Sequence, residues 1–391
     1  MLQSRLLFSS GQNPQNVSAE NLIKGIQLSS GKDMHNNKLF YEQMVNFFDN
    51  KNTRVLKDLR DTTDRMPTDY QDSHFYNMIA ESFSVLKETA ETKQIKFAHR
   101  NVVAKPVPVF GTFDMESLST FLVVDDQTPA IIFSNGLLKF TQRILEIIIK
   151  EQFLRDKNML TDQDKESFAK NFIDVMISFH LFHDAYYAIP LDLCNTDDLD
   201  SLDDSDEAAN QIEAMPDCLF SREYIELHLD ISDATYLWMA AHEYAHLVLD
   251  HPSSAAQTSE EIAGVDVAQI EYTWQQEYDA DLLGAMFVMN SHLSYIGAYG
   301  IYAALSVLLF GCYSETAGTT SHPPMRTRID NLLGYLQGFE FQLKHYREID
   351  RILAPKFICY QHFIDYLGTE RLEKLSLKEI QEELYQKIDL L

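Results

Sequence analysis

The sequence predicts an α+β fold, predominantly α, with a small β-sheet packed on one central helix. Three observations carry that prediction. Residues 236–249 form an apolar run of helical length around His242-Glu243-Tyr244-Ala245-His246. Residues 106–110, 120–124 and 130–133 are short β-branched and aromatic runs, separated by Gly111, Asp125-Asp126 and Pro129 in the manner of strands. Much of the remaining chain repeats its apolar residues at intervals of three and four, the helical period.

Taken in order, residues 1–100 are expected to be helical. Ser18 precedes Leu22, Ile23 and Ile26, and Leu39, Phe40, Met44, Val45, Phe47 and Phe48 follow at helical spacing, before a longer segment at about 70–95. The three strands come next, then helices at 137–153 and 162–186. His180 and His183 on the second helix are read as core or wall residues. Residues 192–217 are strongly acidic and read as a solvated insertion, with a lid or a docking surface for a basic substrate as the functional alternative. Ile225, Leu227, Leu229 and Ile231 alternate with Glu226, His228 and Asp230, which predicts a half-exposed strand, although Tyr224, Leu227 and Ile231 also suit a helix. A strand there, at a sheet edge, would let an extended peptide pair with it. Residues 296–313 read as a buried core helix and 341–391 as helical cladding. The expected organisation is an N-terminal helical region 1–100, a domain 101–340 carrying the insertion, and a C-terminal extension 341–391.

The central helix carries H-E-x-x-H. His242 and His246 are four apart and stand one turn above the other on one face, so both imidazoles can meet one ion. Glu243, offset by one residue, can reach a metal-bound water without being a ligand. Two satisfied core histidines are the structural alternative. Zinc catalysis needs a third protein ligand and an open position for water. Glu277, 31 positions beyond His246, is the expected third ligand, and Asp281 one turn later can accept the free N–H of a ligand histidine. Glu260, Glu261, Asp266 and Glu271 in the intervening stretch are fallback ligands. A third histidine of the H-E-x-x-H-x-x-G-x-x-H type would fall on Pro252, with Leu249 at the glycine position. His251 is therefore read as a helix C-terminal residue.

His242-Glu243-Tyr244-Ala245-His246, then Glu277-x-x-Ala280-Asp281, then Ser321-His322-Pro323-Pro324-Met325-Arg326-Thr327-Arg328-Ile329 resembles the three-part signature of gluzincin metallopeptidases of the HtpX and CAAX-prenyl-protease kind. A weaker likeness is to the Lit phage-exclusion peptidase group. The resemblance covers roughly residues 105–340 and implies a zincin-like metallopeptidase core. It also implies a protein or peptide substrate, with one zinc per chain on His242, His246 and Glu277. Glu243 would be the general base and His322 the oxyanion donor, with Arg328 anchoring Asp281. A catalytically inactive metal-binding regulator and an acidic interaction scaffold stand as alternatives.

Composition restricts the partners. At 391 residues, 45% hydrophobic and 12% aromatic, the chain has ample material for a packed core. Fifty-nine acids against 32 bases give a formal charge of −27, which repels phosphate backbones and speaks against nucleic-acid binding. Cys194, Cys218, Cys312 and Cys359 are scattered; Cys194 and Cys218 could pair, but free thiols are expected. Leu6-Leu7-Phe8 is too short for a signal-peptide core. Residues 296–313 are interrupted by Gly297, Gly300, Ser306 and Gly311, so no integral membrane segment of about 18 apolar residues is expected. A cytoplasmic protein is the expectation.

Overall fold

The structure, a computed structural model, describes residues 73–113, 119–123, 129–181, 221–262, 265–311, 322–336 and 340–367, with short stretches at 21–23, 25–26, 375, 379–380 and 383. The acidic insertion and Cys194, Cys218 and Cys312 lie outside these residues, as do most of 1–72 and the pair His180 and His183 in their side chains. The described residues are mostly helical with small sheets. The elements run α1 (Ser73–Thr92), β1 (Lys96–Phe97), β2 (Arg100–Asn101), β3 (Val109–Phe113), β4 (Ser119–Val123), β5 (Pro129–Ser134), α2 (Asn135–Asp156), α3 (Asp162–Leu181) and α4 (Arg222–Val248). A 3-10 turn (His251–Ser253) leads to β6 (Ala256–Ile262), β7 (Val265–Glu271), α5 (Trp274–Asn290), α6 (Gly297–Gly311), α7 (Met325–Leu336) and α8 (Glu340–Leu367).

Two compact units emerge. The first holds Met1–Leu138, Tyr236–His292 and Ala317–Pro324; the second holds Lys139–Thr235, Leu293–Thr316 and Met325–Leu391. In the first, five strands form one sheet in the order β3-β5-β4-β7-β6. β3 and β5 are parallel, and every other neighbouring pair is antiparallel. The aromatic core joins this sheet to three helices. Phe83 of α1 lies 5.1 Å from Phe110, 6.2 Å from Phe133 and 6.4 Å from Tyr244, ring centre to ring centre, and Tyr244 meets Phe287 at 5.6 Å. Such ring clusters bury large apolar area with fixed geometry. The Tyr244 hydroxyl donates to the Lys105 carbonyl at 2.7 Å and accepts from the Lys105 N–H at 2.9 Å. It thereby ties the H-E-x-x-H helix to the segment that enters the sheet.

The second unit is helical. α6 is buried along Gly297–Val307 and packs with α3, α7 and α8. That explains its uniform apolarity: a helix enclosed on all sides has no polar face. No described helix is long and apolar enough to cross a membrane. At Gly300 a Cβ would lie 2.5 Å from both Ala234 C and Ala234 Cβ, so α6 approaches α4 backbone to backbone. Glu151, buried on α2, is clasped by Arg155 at 2.6 Å and by Lys356 of α8.

One expectation is overturned. Residues 225–231 are not a strand but the first part of α4, a 27-residue helix. The Ser221 hydroxyl caps its start by accepting the Tyr224 N–H at 3.2 Å. No glycine or proline interrupts the chain from there to Val248, so extending the downstream apolar helix costs less than nucleating a separate element. Tyr224, Ile231 and Ala234 are buried while Ile225 and Leu229 are exposed. The apparent alternation came from that exposed pair, four apart. The peptide-docking edge expected at 225–231 goes with it. An edge strand is supplied by β6 instead, in a hairpin the sequence had not announced.

Glycine packing gives a stability test. Gly300→Ala should destabilise by about 1–3 kcal/mol, because the added methyl overlaps backbone that has nowhere to move. Gly334→Ala, in exposed helix with nothing within 4 Å of the new methyl, should stabilise by about 0.5–1 kcal/mol. Urea unfolding of the two variants beside the parent checks both signs.

Candidate metal centre

The site is built by α4 and α5 within the first unit. Thr273 and Gln276 form a capping box: the Thr273 hydroxyl accepts from the Gln276 N–H, and Gln276 Oε1 accepts from the Thr273 N–H at 2.8 Å. This fixes the start of α5 and puts Glu277 in its first turn, where the helix dipole favours a carboxylate. Asp281 and Gly284 follow on the same face. At Gly284 a Cβ would lie 3.1 Å from the His242 backbone nitrogen and 3.2 Å from the Ala241 carbonyl carbon. The missing side chain therefore lets α5 press against α4 at the motif itself.

That approach brings the predicted residues together. His242 Nε2 and His246 Nε2 are 3.3 Å apart. Glu277 turns one oxygen toward each, Oε2 at 3.5 Å from His242 Nε2 and Oε1 at 3.5 Å from His246 Nε2. A tetrahedral ion with nitrogen and oxygen ligands at about 2.0–2.1 Å holds them about 3.3–3.4 Å apart. The donor set therefore fits an ion of that size. Among the described residues these three form the group of metal-ligating type whose donor atoms converge. They are buried to 8, 0 and 2% exposure. Glu243, between the two histidines in sequence, is partly exposed and so open to solvent.

The surrounding groups orient these side chains. Asp281 Oδ1 lies 3.0 Å from His242 Nδ1, at ion-pair distance though off the line of a straight hydrogen bond. Burial pulls the His242 imidazole toward neutrality, but Asp281 and Glu277 outweigh it and raise its pKa to about 10. Burial lowers the pKa of His251, which stays neutral. Burial, with help from the charges of Glu243 and Glu277, pushes the Tyr272 phenol well above its ordinary value, so its hydroxyl keeps its proton.

The sequence had missed two neighbours of His246. His251 Nδ1 is 2.9 Å from His246 Nδ1, and the Tyr272 ring stacks on His246 at 3.7 Å between centres and 15° between planes. They flank the β6–β7 hairpin, one before it and one after it. Beside them is a cavity of about 380 Å³ lined by Ser254, Ala255, Ala256, Glu271, Tyr272 and Trp274. Of the remaining predicted residues, His322 is exposed just before α7 and Arg328 is buried within α7. The fallback positions Glu260, Glu261, Asp266 and Glu271 fall in the hairpin strands.

The sequence model of the peptidase U49 family matches residues 133–346, more than half of the chain. The chain belongs to the peptidase U49 family. This family is Lit-like, so of the two resemblances in the sequence the match supports the one that had been the weaker. The U49 match takes in α4, the hairpin and α5, and with them all of the converging groups. No curated protein matches the chain, and no solved structure does.

Two outcomes follow. Gly284→Ala should weaken divalent-metal binding, because the new methyl must push α5 off α4 by a few tenths of an ångström at His242; competition against a chromophoric chelator measures the loss. A metal at His242 must also displace the proton that Asp281 and Glu277 hold there, so affinity should rise with pH throughout the range below about 10. The same titration at about pH 6, 7 and 8 should show tighter binding at each step.

Proposed function

We propose that this U49 peptidase is a zinc-dependent endopeptidase that cleaves a peptide bond in a protein substrate. The observation that supports this best is the convergence of His242, His246 and Glu277 at tetrahedral ligand spacing, with Glu243 beside them and open to solvent. These three residues would hold the zinc, one per chain, in a zincin-like core. When bound, such an ion lowers the pKa of its water toward about 7 and polarises the scissile carbonyl.

The chain's own residues do the rest. Glu243 takes a proton from the attacking water and returns it to the leaving amine, so its carboxylate must be ionised at the start and protonated midway. Asp281 holds the His242 ring in place from its Nδ1 side. The cavity beside Tyr272 would receive a substrate side chain, and the edge strand β6 would offer the backbone groups of its outer side to an extended peptide. His322 as donor to the developing oxyanion and Arg328 as anchor of Asp281 rest on the motif likeness alone. Glu243 argues against an inactive metal-binding regulator, because a purely structural metal site has no use for a base there.

Elemental analysis of the purified protein tests the reading. About one zinc per chain is expected in the parent and in Glu243→Gln, and none in His246→Ala. Glu243→Gln should lower peptide hydrolysis by at least about a hundredfold, measured by mass spectrometry on a mixed peptide library. A folded parent protein without zinc would sink the proposal.

A further inference from the structure

We infer that His251 is a positioning residue of the metal centre: it accepts the proton on Nδ1 of His246 and thereby holds His246 in the tautomer whose Nε2 is free to bind metal. The inference rests on the metal reading above and extends it to a residue outside the H-E-x-x-H motif.

The geometry determines the direction of the bond. Two ring nitrogens 2.9 Å apart, as His246 Nδ1 and His251 Nδ1 are, require one donor and one acceptor. A neutral imidazole carries its single proton on one nitrogen only. His246 Nε2 faces His242 Nε2 at 3.3 Å and Glu277 at 3.5 Å, so a ligand role for it leaves the proton on Nδ1. His246 is then the donor and His251 the acceptor, with the proton of His251 on its own Nε2. The two motif histidines are thus oriented by different means, His242 by the carboxylate of Asp281 and His246 by a neutral ring. With Glu277 and Asp281 already balancing a divalent ion, a neutral acceptor adds no third negative charge to a buried site.

The local fold is arranged to deliver that ring. α4 ends at Val248, and Asp250 takes a left-handed conformation with φ of 60°, which turns the chain back on the helix. The Ser253 hydroxyl holds the turn through the Asp250 carbonyl at 2.7 Å and its carboxylate at 2.8 Å. The His251 carbonyl accepts both the Ser254 and Ala255 N–H groups at 3.0 Å. His251 is left 7% exposed, with its ring edge against His246. Tyr272, at the far end of the hairpin, covers the face of the same imidazole. His246 is therefore held at its edge and its face by the two ends of one hairpin.

The test compares His251→Leu, which removes the acceptor, with His251→Asn, whose Oδ1 can stand where Nδ1 stood. Zinc affinity is read by chelator competition, and the visible spectrum of the cobalt(II) form reports ligand geometry. We expect His251→Leu to bind zinc about ten- to a hundredfold more weakly with an altered cobalt spectrum, and His251→Asn to stay within about threefold of the parent. Should the leucine variant not fold, the asparagine variant decides: parental affinity and spectrum support the inference, and loss of both overturns it. Equal zinc affinity and equal spectra in His251→Leu and the parent also overturn it. A parent that binds no metal would instead remove the underlying metal reading, a result distinct from these.

Discussion

Two carboxylates, Glu277 and Asp281, are buried to 2% exposure on the otherwise apolar buried face of α5, and the packing of α5 on α4 brings histidines to them. An isolated buried carboxylate is too costly to persist in its charged form. Among the groups that face them are the imidazoles of His242 and His246, also buried, on α4. That requirement explains why α4 and α5 meet without a side chain between them at Gly284. The capping box immediately ahead of Glu277 fixes the start of α5 and keeps the carboxylate in its first turn.

The two carboxylates raise the pKa of the His242 imidazole against the pull of its burial. A divalent ion bound there, as proposed, would add positive charge and free His242 from carrying a proton. On the proposed function, metal binding and folding would be coupled in the first unit, since the same ion that would activate water would also neutralise the buried acids.

Much of that arrangement was legible in the sequence because it obeys a local rule. His242 with His246, and Glu277 with Asp281, are each four apart, and helical periodicity alone puts each pair on one face. The strands at 119–123 and 129–134 and the buried core helix were legible for the same reason, through periodicity and breakers, whereas the first strand lies at 109–113, later than the expected 106–110, with the expected breaker Gly111 paired inside it. What failed was tertiary or conformational. The alternation of residues 225–231 looked like a strand because exposed apolar residues mimicked its pattern, while the capped continuous helix behind it was the stronger influence. The hairpin of β6 and β7 has polar, acidic sequences, AQTSEEI and VDVAQIE, whose pairing depends on the sheet it joins. His251 escaped notice because its meeting with His246 depends on one left-handed residue, Asp250, and a fixed-spacing motif does not register such a turn.

The hairpin between His246 and Glu277 bears on how such sites are recognised. Its two ends meet the His246 imidazole through His251 and Tyr272, while β7 pairs with β4 of the sheet. The 31 positions from His246 to Glu277 are thus the path of a hairpin that joins the sheet, and the proposed coordination needs only that its two ends return to α4 and α5. A search that demands a fixed interval between motif and third ligand would pass over proteins with the same centre and a longer or shorter hairpin, whereas one that asks for a helix start followed by two acids four apart would find them.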